Sequence, residues 1–321
     1  MKKNTLIICI VAAVLVVGLV IGLILVLGGN KAPETPNTPE TPADKTYTLA
    51  LAVENSVGND NKVTNYVVAL LLDDAGKIVA ARLDCVETTP SVVDGAIADV
   101  ASVLSKVAQG ENYGGTAVPE YMQMGKGSFA KQTKAFEDAI VGKTAAEVEA
   151  FDTTLVAGCT MPYSPFSFKS VIAKAFASTN KTTFKTAETV TLGVAADMSV
   201  SGGKVTTYYA ATAVVGGKIA ANIIDCNELS FTVVDGAAVA GEYAGTKVEQ
   251  GENYGGTAVP EYMQMGKGSF AKQTEAFENA LVGKTAAEVE ALDTTLVAGC
   301  TMPYSPASFK VVIAGAIANA R

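Results

Sequence analysis

Apolar positions begin as a solid block and then fall into short alternating runs. Leu6 to Leu27 is an uncharged stretch of 22 residues with Lys2 and Lys3 ahead of it. Wound as a helix it reaches about 33 Å, enough to cross a hydrocarbon core of about 30 Å. Cations before the span favour an N-in orientation. Residues 1–28 are therefore expected to be an uncleaved single-pass anchor in the cell membrane, with a cleaved signal peptide as the alternative. Everything after it then faces the extracytoplasmic side. Residues 29–45 change character: Pro33, Pro36, Pro39 and Pro42 recur at every third position among Thr, Glu and Asn. With no large apolar side chain to bury, this reads as a polyproline-type spacer.

Beyond the spacer the apolar residues alternate through Tyr47–Val53, run on from Val63 to Leu72, and resume at Ile78–Leu83 after Asp73-Asp74-Ala75-Gly76. That is a strand followed by a hairpin. Residues 91–108 have a helical rhythm, yet the second copy of this sequence, introduced below, puts Gly236, Gly241 and Gly245 in the matching stretch. An extended Val92-Val93 is the reading both copies can share. Ser128 and Gly142 bracket a helix through Val141. Thr144-Ala145-Ala146-Glu147 has the capping-box pattern of a second, short helix. Leu155–Thr160 reads as a strand or tight loop, and Ser164-Pro165 suit the start of a last helix through Ala177. Strands followed by helices make this an α+β domain with an antiparallel sheet.

The same pattern occurs twice, offset by 141 residues. Between 109–173 and 250–314 only 6 of 65 positions differ, among them Lys134/Glu275, Phe151/Leu292 and Phe166/Ala307. Upstream the copies diverge, although Asp84-Cys85 still matches Asp225-Cys226 and Val93-Asp94-Gly95 matches Val234-Asp235-Gly236. The organisation is an anchor (1–28), a linker (29–45) and two α+β repeats, 46–180 and 186–321.

Composition narrows the chemistry. The formal net charge is −8 and histidine is missing altogether. The acidic balance argues against nucleic acid as a partner. Without histidine there is no Ser-His or Cys-His nucleophile pair and no His-ligated metal. No catalytic residue and no metal ligand is assigned, and an enzyme is not expected. The membrane is the one partner assigned, through the N-terminal helix. A small molecule or an envelope component completes the expectation, without a name.

Each copy keeps two cysteines, Cys85 with Cys159 and Cys226 with Cys300. An oxidising exterior favours one disulfide per copy, with buried thiols as the alternative. Gly142-Lys143-Thr144 lacks the earlier glycine of a phosphate-binding loop, since position 137 is Glu. The stretch from Gly110 to Gly127 holds Tyr113, Tyr121, Met122, Met124 and Lys126. It reads either as a ligand loop, with aromatics to stack and Lys126 for an anion, or as a structural loop whose Tyr and Met fill the core. Tyr254 and Lys267 are the second-copy counterparts.

Three stretches carry a family resemblance: the Asp74-Ala75-Gly76-Lys77-Ile78-Val79 hairpin, the small-Gly-small-Thr loop, and the helix with Ser167-Phe168-Lys169. Together they resemble the extracytoplasmic FMN-binding domains of membrane-anchored flavoproteins. The chain looks closer still to clostridial-type secreted proteins that share its helix–Val-Gly-Lys-Thr–helix segment. The resemblance implies FMN held through a phosphoester to the threonine of a Ser-Gly-Ala-Thr loop. That loop falls on Ala157-Gly158-Cys159-Thr160 and Ala298-Gly299-Cys300-Thr301, which makes Thr160 and Thr301 the attachment points beside Gly158 and Gly299. Here Ala and Cys replace Ser and Ala, and the aspartate six residues before the threonine becomes Thr154. The first expectation is thus a non-enzymatic surface module for binding or envelope organisation, with no resident cofactor. An FMN-carrying electron-transfer protein is the alternative.

Overall fold

The computed structural model describes residues 43–159, 164–300 and 305–321. The anchor and most of the spacer lie outside these residues. Among the described residues no helix is long and apolar enough to cross a membrane.

The first copy opens with three antiparallel strands, β1 (Lys45–Val57), β2 (Val63–Leu72) and β3 (Ile78–Thr88). The turn between β2 and β3 is built by Asp73, whose carboxylate accepts from the backbone N–H of Ala75 and Lys77. Residues 92–104 hold short strands rather than a helix: β4 (Val92–Val93), β5 (Ala96–Ile97) and β6 (Val100–Leu104). Three helices follow, α1 (Phe129–Ile140), α2 (Ala145–Glu149) and α3 (Ser164–Ala177). Ser128 sits at the start of α1, but its hydroxyl bonds Glu111 at 3.1 Å instead of capping the helix. Thr144 and Glu147 do form the reciprocal capping box that opens α2. A 3-10 turn at Thr153–Leu155 leads into the stretch expected to be a strand or tight loop, and its described residues, 155–159, form no strand.

The residues joining the copies form strand β7 (Lys181–Thr186), which pairs with β1. The second copy repeats the plan with β8 (Thr191–Ser201), β9 (Lys204–Val215), β10 (Lys218–Val234) and β11 (Ala237–Ala240). Helices α4 (Phe270–Leu281), α5 (Ala286–Ala291) and α6 (Ser305–Ala318) complete it. The protein is thus of mixed α+β class with antiparallel sheets.

The copies are interlocked. One sheet runs β3-β2-β1-β7 and the other β11-β10-β9-β8-β6, so β6 of the first copy is an edge strand of the second copy's sheet. Tyr47, Leu49, Leu51, Val67 and Leu71 share one buried cluster with Leu192, Val194, Tyr209, Ala211, Ala213 and Ile223. Alternate residues of the first sheet, including Val68, Leu70, Leu83 and Cys85, pack instead on Phe129, Phe136, Phe168 and Ile172 of α1 and α3. The second copy does the same with α4 and α6. The layers are helix, sheet, sheet, helix, with both faces of each sheet covered. Strands buried on both faces explain the apolar run at Val67–Leu72 and the one at Tyr209–Val215, which Thr212 interrupts. Polar side chains bridge the sheets as well: Asn65 donates to Thr207 and accepts from Asn227.

Candidate functional site

Each copy builds the same buried charge cluster where its third strand meets the glycine-rich loop. In the first copy Asp84 is fully enclosed. It accepts from the Ser105 hydroxyl at 2.6 Å and from the backbone N–H of Cys85 and Val107. Burial pushes its pKa up to about 6, against the pull of those hydrogen bonds. Asp225 repeats the arrangement with Thr246, Cys226 and Val248, and is pushed up to about 7. These carboxyls pin the turn that launches the loop.

Lys106 reaches inward from that turn. Its Nζ lies 2.8 Å from Glu87 and 4.8 Å from the centre of the Tyr113 ring. Burial alone disfavours its ammonium, but Cys85, Glu87 and Tyr113 outweigh that and its pKa rises. Glu87 also receives Lys62 at 2.9 Å and the Tyr113 hydroxyl at 3.0 Å. Burial acts against the Glu87 carboxylate too, yet the two lysines hold its pKa below the usual value. The second copy places Lys247, Glu228, Tyr254 and Lys204 in the same roles. Burial raises the Cys85 and Cys226 thiols to about 12, which makes them poor nucleophiles near neutral pH. The cluster is internally ion-paired, reaches solvent at Lys62 and Lys204, and ties the loop to the sheet.

The loop itself is ordered by Glu111. Its carboxylate accepts from Thr116 N–H and hydroxyl and from Ser128, and meets Lys131 at 2.9 Å. The Thr116 N–H is the chief cause of a pKa held down at about 2. Gly114 is required by packing: at φ +69° a Cβ would fall 2.4 Å from Cγ of Met124. Tyr113 stacks edge-on against Phe129 and belongs to the core. At the tip the reverse holds. Tyr121 is 87% exposed and Met122 54%, and Tyr262 and Met263 match them.

Of the residues expected to hold a ligand, Tyr113 and Tyr254 are committed to the buried cluster, while Lys126 and Lys267 stand exposed on the loop. Tyr254 also borders a cavity of about 480 Å³ with Gly255, Val259, Met263 and Met265, which neither Lys267 nor Gly299 lines. Gly158 and Gly299 adopt φ +82° and back onto Ala135 and Ala276. Thr160 and Thr301 lie outside the described residues. Tyr254 apart, the expected flavin-holding groups among the described residues do not line that cavity. The four cysteines are buried, Cys85 with Cys159 in one core cluster and Cys226 with Cys300 in the other, and none is joined by a disulfide. Among the described residues no group of three His, Cys, Asp or Glu could hold a metal. Lys143 covers the Phe151 ring at 4.7 Å and Thr144 caps α2, so Gly-Lys-Thr is spent on structure.

Sequence reasoning passed over Glu87 and Lys106, though both recur at the 141-residue offset within the diverged half, as Glu228 and Lys247. It also passed over Arg82, Glu137 and Arg321, an ion-paired group that only the fold assembles. No protein-family model, curated protein or solved structure matches this chain.

Proposed function

We propose that the protein is a membrane-anchored extracytoplasmic module that binds a cell-envelope partner without catalysing a reaction. The observation behind this reading is the duplicated loop. An ion-paired cluster holds it rigidly to each sheet while Tyr121-Met122 and Tyr262-Met263 project from its tip. Rigid, exposed aromatic and thioether side chains are costly to leave in water unless a partner covers them, and two equivalent tips on one body suit bivalent attachment. Glu111, Glu147 and Asp152, with Glu252, Glu288 and Asp293 in the second copy, are spent on loop bonds, caps and turns.

The test is retention of the full-length protein on isolated cell envelope. Tyr121→Ser combined with Tyr262→Ser is expected to lower retention at least tenfold with an unchanged melting temperature. Unchanged retention would sink the reading. A flavin absorption band in the purified protein would replace it with the electron-transfer alternative.

A further inference from the structure

The two copies meet along two seams related by the 141-residue offset, and the seams are filled differently. At the first, Lys174 extends from α3 across to the other copy, its Nζ 2.6 Å from Glu249 and 2.6 Å from the Val53 carbonyl. Beside it the Ser170 hydroxyl donates to Glu54 at 2.6 Å. A straight methylene stem thus lies in the seam, and charge closes its end.

At the second seam α6, β8 and the turn at 105–108 take the same places, but the polar residues are gone. Gly315 stands for Lys174, Ala108 for Glu249, Ala195 for Glu54 and Val311 for Ser170, while Leu104 stands for Gly245. Each exchange removes a polar group or adds an apolar one. What remains is a cavity of about 420 Å³ walled by Leu104, Ala108, Ala195, Val311 and Gly315, with the buried Val312 beneath. Leu104 is 62% exposed and Val311 61%, so the hollow opens to water between two bare aliphatic side chains.

The polar groups of the wall are already bonded. Ser105 donates to Asp84 at 2.6 Å, Ser102 to Asp197 at 2.7 Å, and Asn319 to the Val194 carbonyl at 2.6 Å. Val194 is the counterpart of Val53, so the carbonyl that receives a lysine in the first seam is taken in the second. No lysine, arginine or aromatic residue lines the hollow among the described residues. An open aliphatic cavity of ligand size gains free energy when carbon replaces its water.

We propose that this second seam binds the alkyl chain of an aliphatic amphiphile, with a neutral or cationic head group beside Asp197. The first seam supplies the shape, since the lysine stem that fills it is itself an unbranched chain. With no ring in the wall to stack on, a planar aromatic ligand is disfavoured. The Asp197 carboxylate, with no cation beside it on the wall, disfavours a carboxylate or phosphate head. None of the walls belongs to the exposed loop tips, so this site stands whether or not those tips bind the envelope. A free amphiphile and a bilayer lipid share this chemistry.

Photolabelling of the full-length protein in phosphatidylcholine nanodiscs tests the proposal. The probes are a monoacylglycerol with a diazirine at the end of its chain, added free, and a diacylglycerol carrying the same chain within the disc. Labelling is expected to saturate at one site per chain, on β6, α6 or the turn between 105 and 108, as peptide mass mapping would show. Labelling from the disc would assign a bilayer source, and labelling by the free probe alone a free one. Excess dodecanol or dodecylamine should suppress labelling at least fivefold, and dodecanoate less than twofold. Gly315→Lys combined with Ala108→Glu, which rebuilds the pair of the first seam, should abolish labelling without lowering the melting temperature. Absence of saturable labelling in the wild type, or labels placed elsewhere, would overturn the proposal. Equal labelling of the folded double variant would do the same, as would chain-to-chain cross-links through Leu104, which would show a second copy covering the hollow.

Discussion

From 109 and from 250 onward the two copies are almost the same chain, whereas their sheets have drifted far apart, and the fold explains both. The apolar face of each loop-and-helix half packs on its own sheet, with the ion pairs Arg321–Glu137 and Lys174–Glu249 reaching across, so nearly identical sequences serve both copies. The sheets face each other, and two facing surfaces must be complementary rather than alike. Tyr47, Leu49, Leu51, Ala69 and Leu71 of the first sheet share one buried layer with Leu192, Tyr209, Ala211, Ala213 and Ile223 of the second. Interdigitation of large with small fills such a layer without voids. The difference extends to the edges. β6 of the first copy joins the second sheet, while the matching residues 241–245 form no strand. Where β8 passes under α6, a Cβ on Gly193 would fall 1.8 Å from the Ala316 carbonyl oxygen, yet the first copy carries Ala52 there.

The sharpest way to break this comparison is to hollow the shared layer. Leu49→Ala should cost about 4 kcal/mol, and thermal melts followed separately in each copy should shift together. Next is the glutamate pair, Glu137 on α1 and its counterpart Glu278 on α4, which among the described residues has no ion pair. Glu137→Gln removes the carboxylate that the Arg82 and Arg321 guanidiniums share and should cost about 3 kcal/mol. Glu278→Gln should leave stability unchanged or raise it at pH 8, as denaturant midpoints would show.

The pH dependence follows from the same groups. Burial lifts Glu137 to about 6, Asp84 to about 6 and Asp225 to about 7, and takes Glu278 well above its ordinary value. The folded chain then keeps protons that the unfolded chain has lost. These groups therefore reduce stability as pH rises from about 4 through 7. Glu278→Gln should flatten that slope, and an unchanged slope would contradict the assignment.

Smaller effects test the local differences. Gly193→Ala should cost about 2 kcal/mol through overpacking against α6, while Ala52→Gly in the first copy should cost about 1 kcal/mol or less. The capping boxes of α2 and α5 are the same in both copies, so Thr144→Ala and Thr285→Ala should each cost about 1 kcal/mol and match one another. A mismatch would mean that the near-identical halves are held differently.

What the sequence revealed follows the range of the interactions involved. Thr144 with Glu147, and Gly142 after α1, act over three or four residues, and their elements were legible. The hairpin at Asp73–Gly76 was legible for the same reason. β6 was not, because 100–104 finds its partner in β8 of the other copy, and its own rhythm looks helical. The two-sided burial of Val67–Leu72 was visible as an apolar run, but nothing local says that the second face meets another sheet. At the candidate site, the glycines of the loop read equally as ligand contacts or as packing, and only the Met124 approach to Gly114 decides. Glu137 and Arg321 are 184 residues apart, so their pairing needs the whole fold. The hollow of the second seam was hidden for a like reason, since the exchange of Lys174 for Gly315 means nothing until the fold shows which residues face it.

That the copies form one body with a common inter-sheet layer is the claim on which the other inferences stand. Hydrogen exchange measured by mass spectrometry on wild type and Leu49→Ala tests it most directly. The account predicts that protected amides of β2 and β9 exchange through the same global opening, and that the substitution lowers both by the same amount. Loss of protection in β2 with β9 unchanged would contradict it.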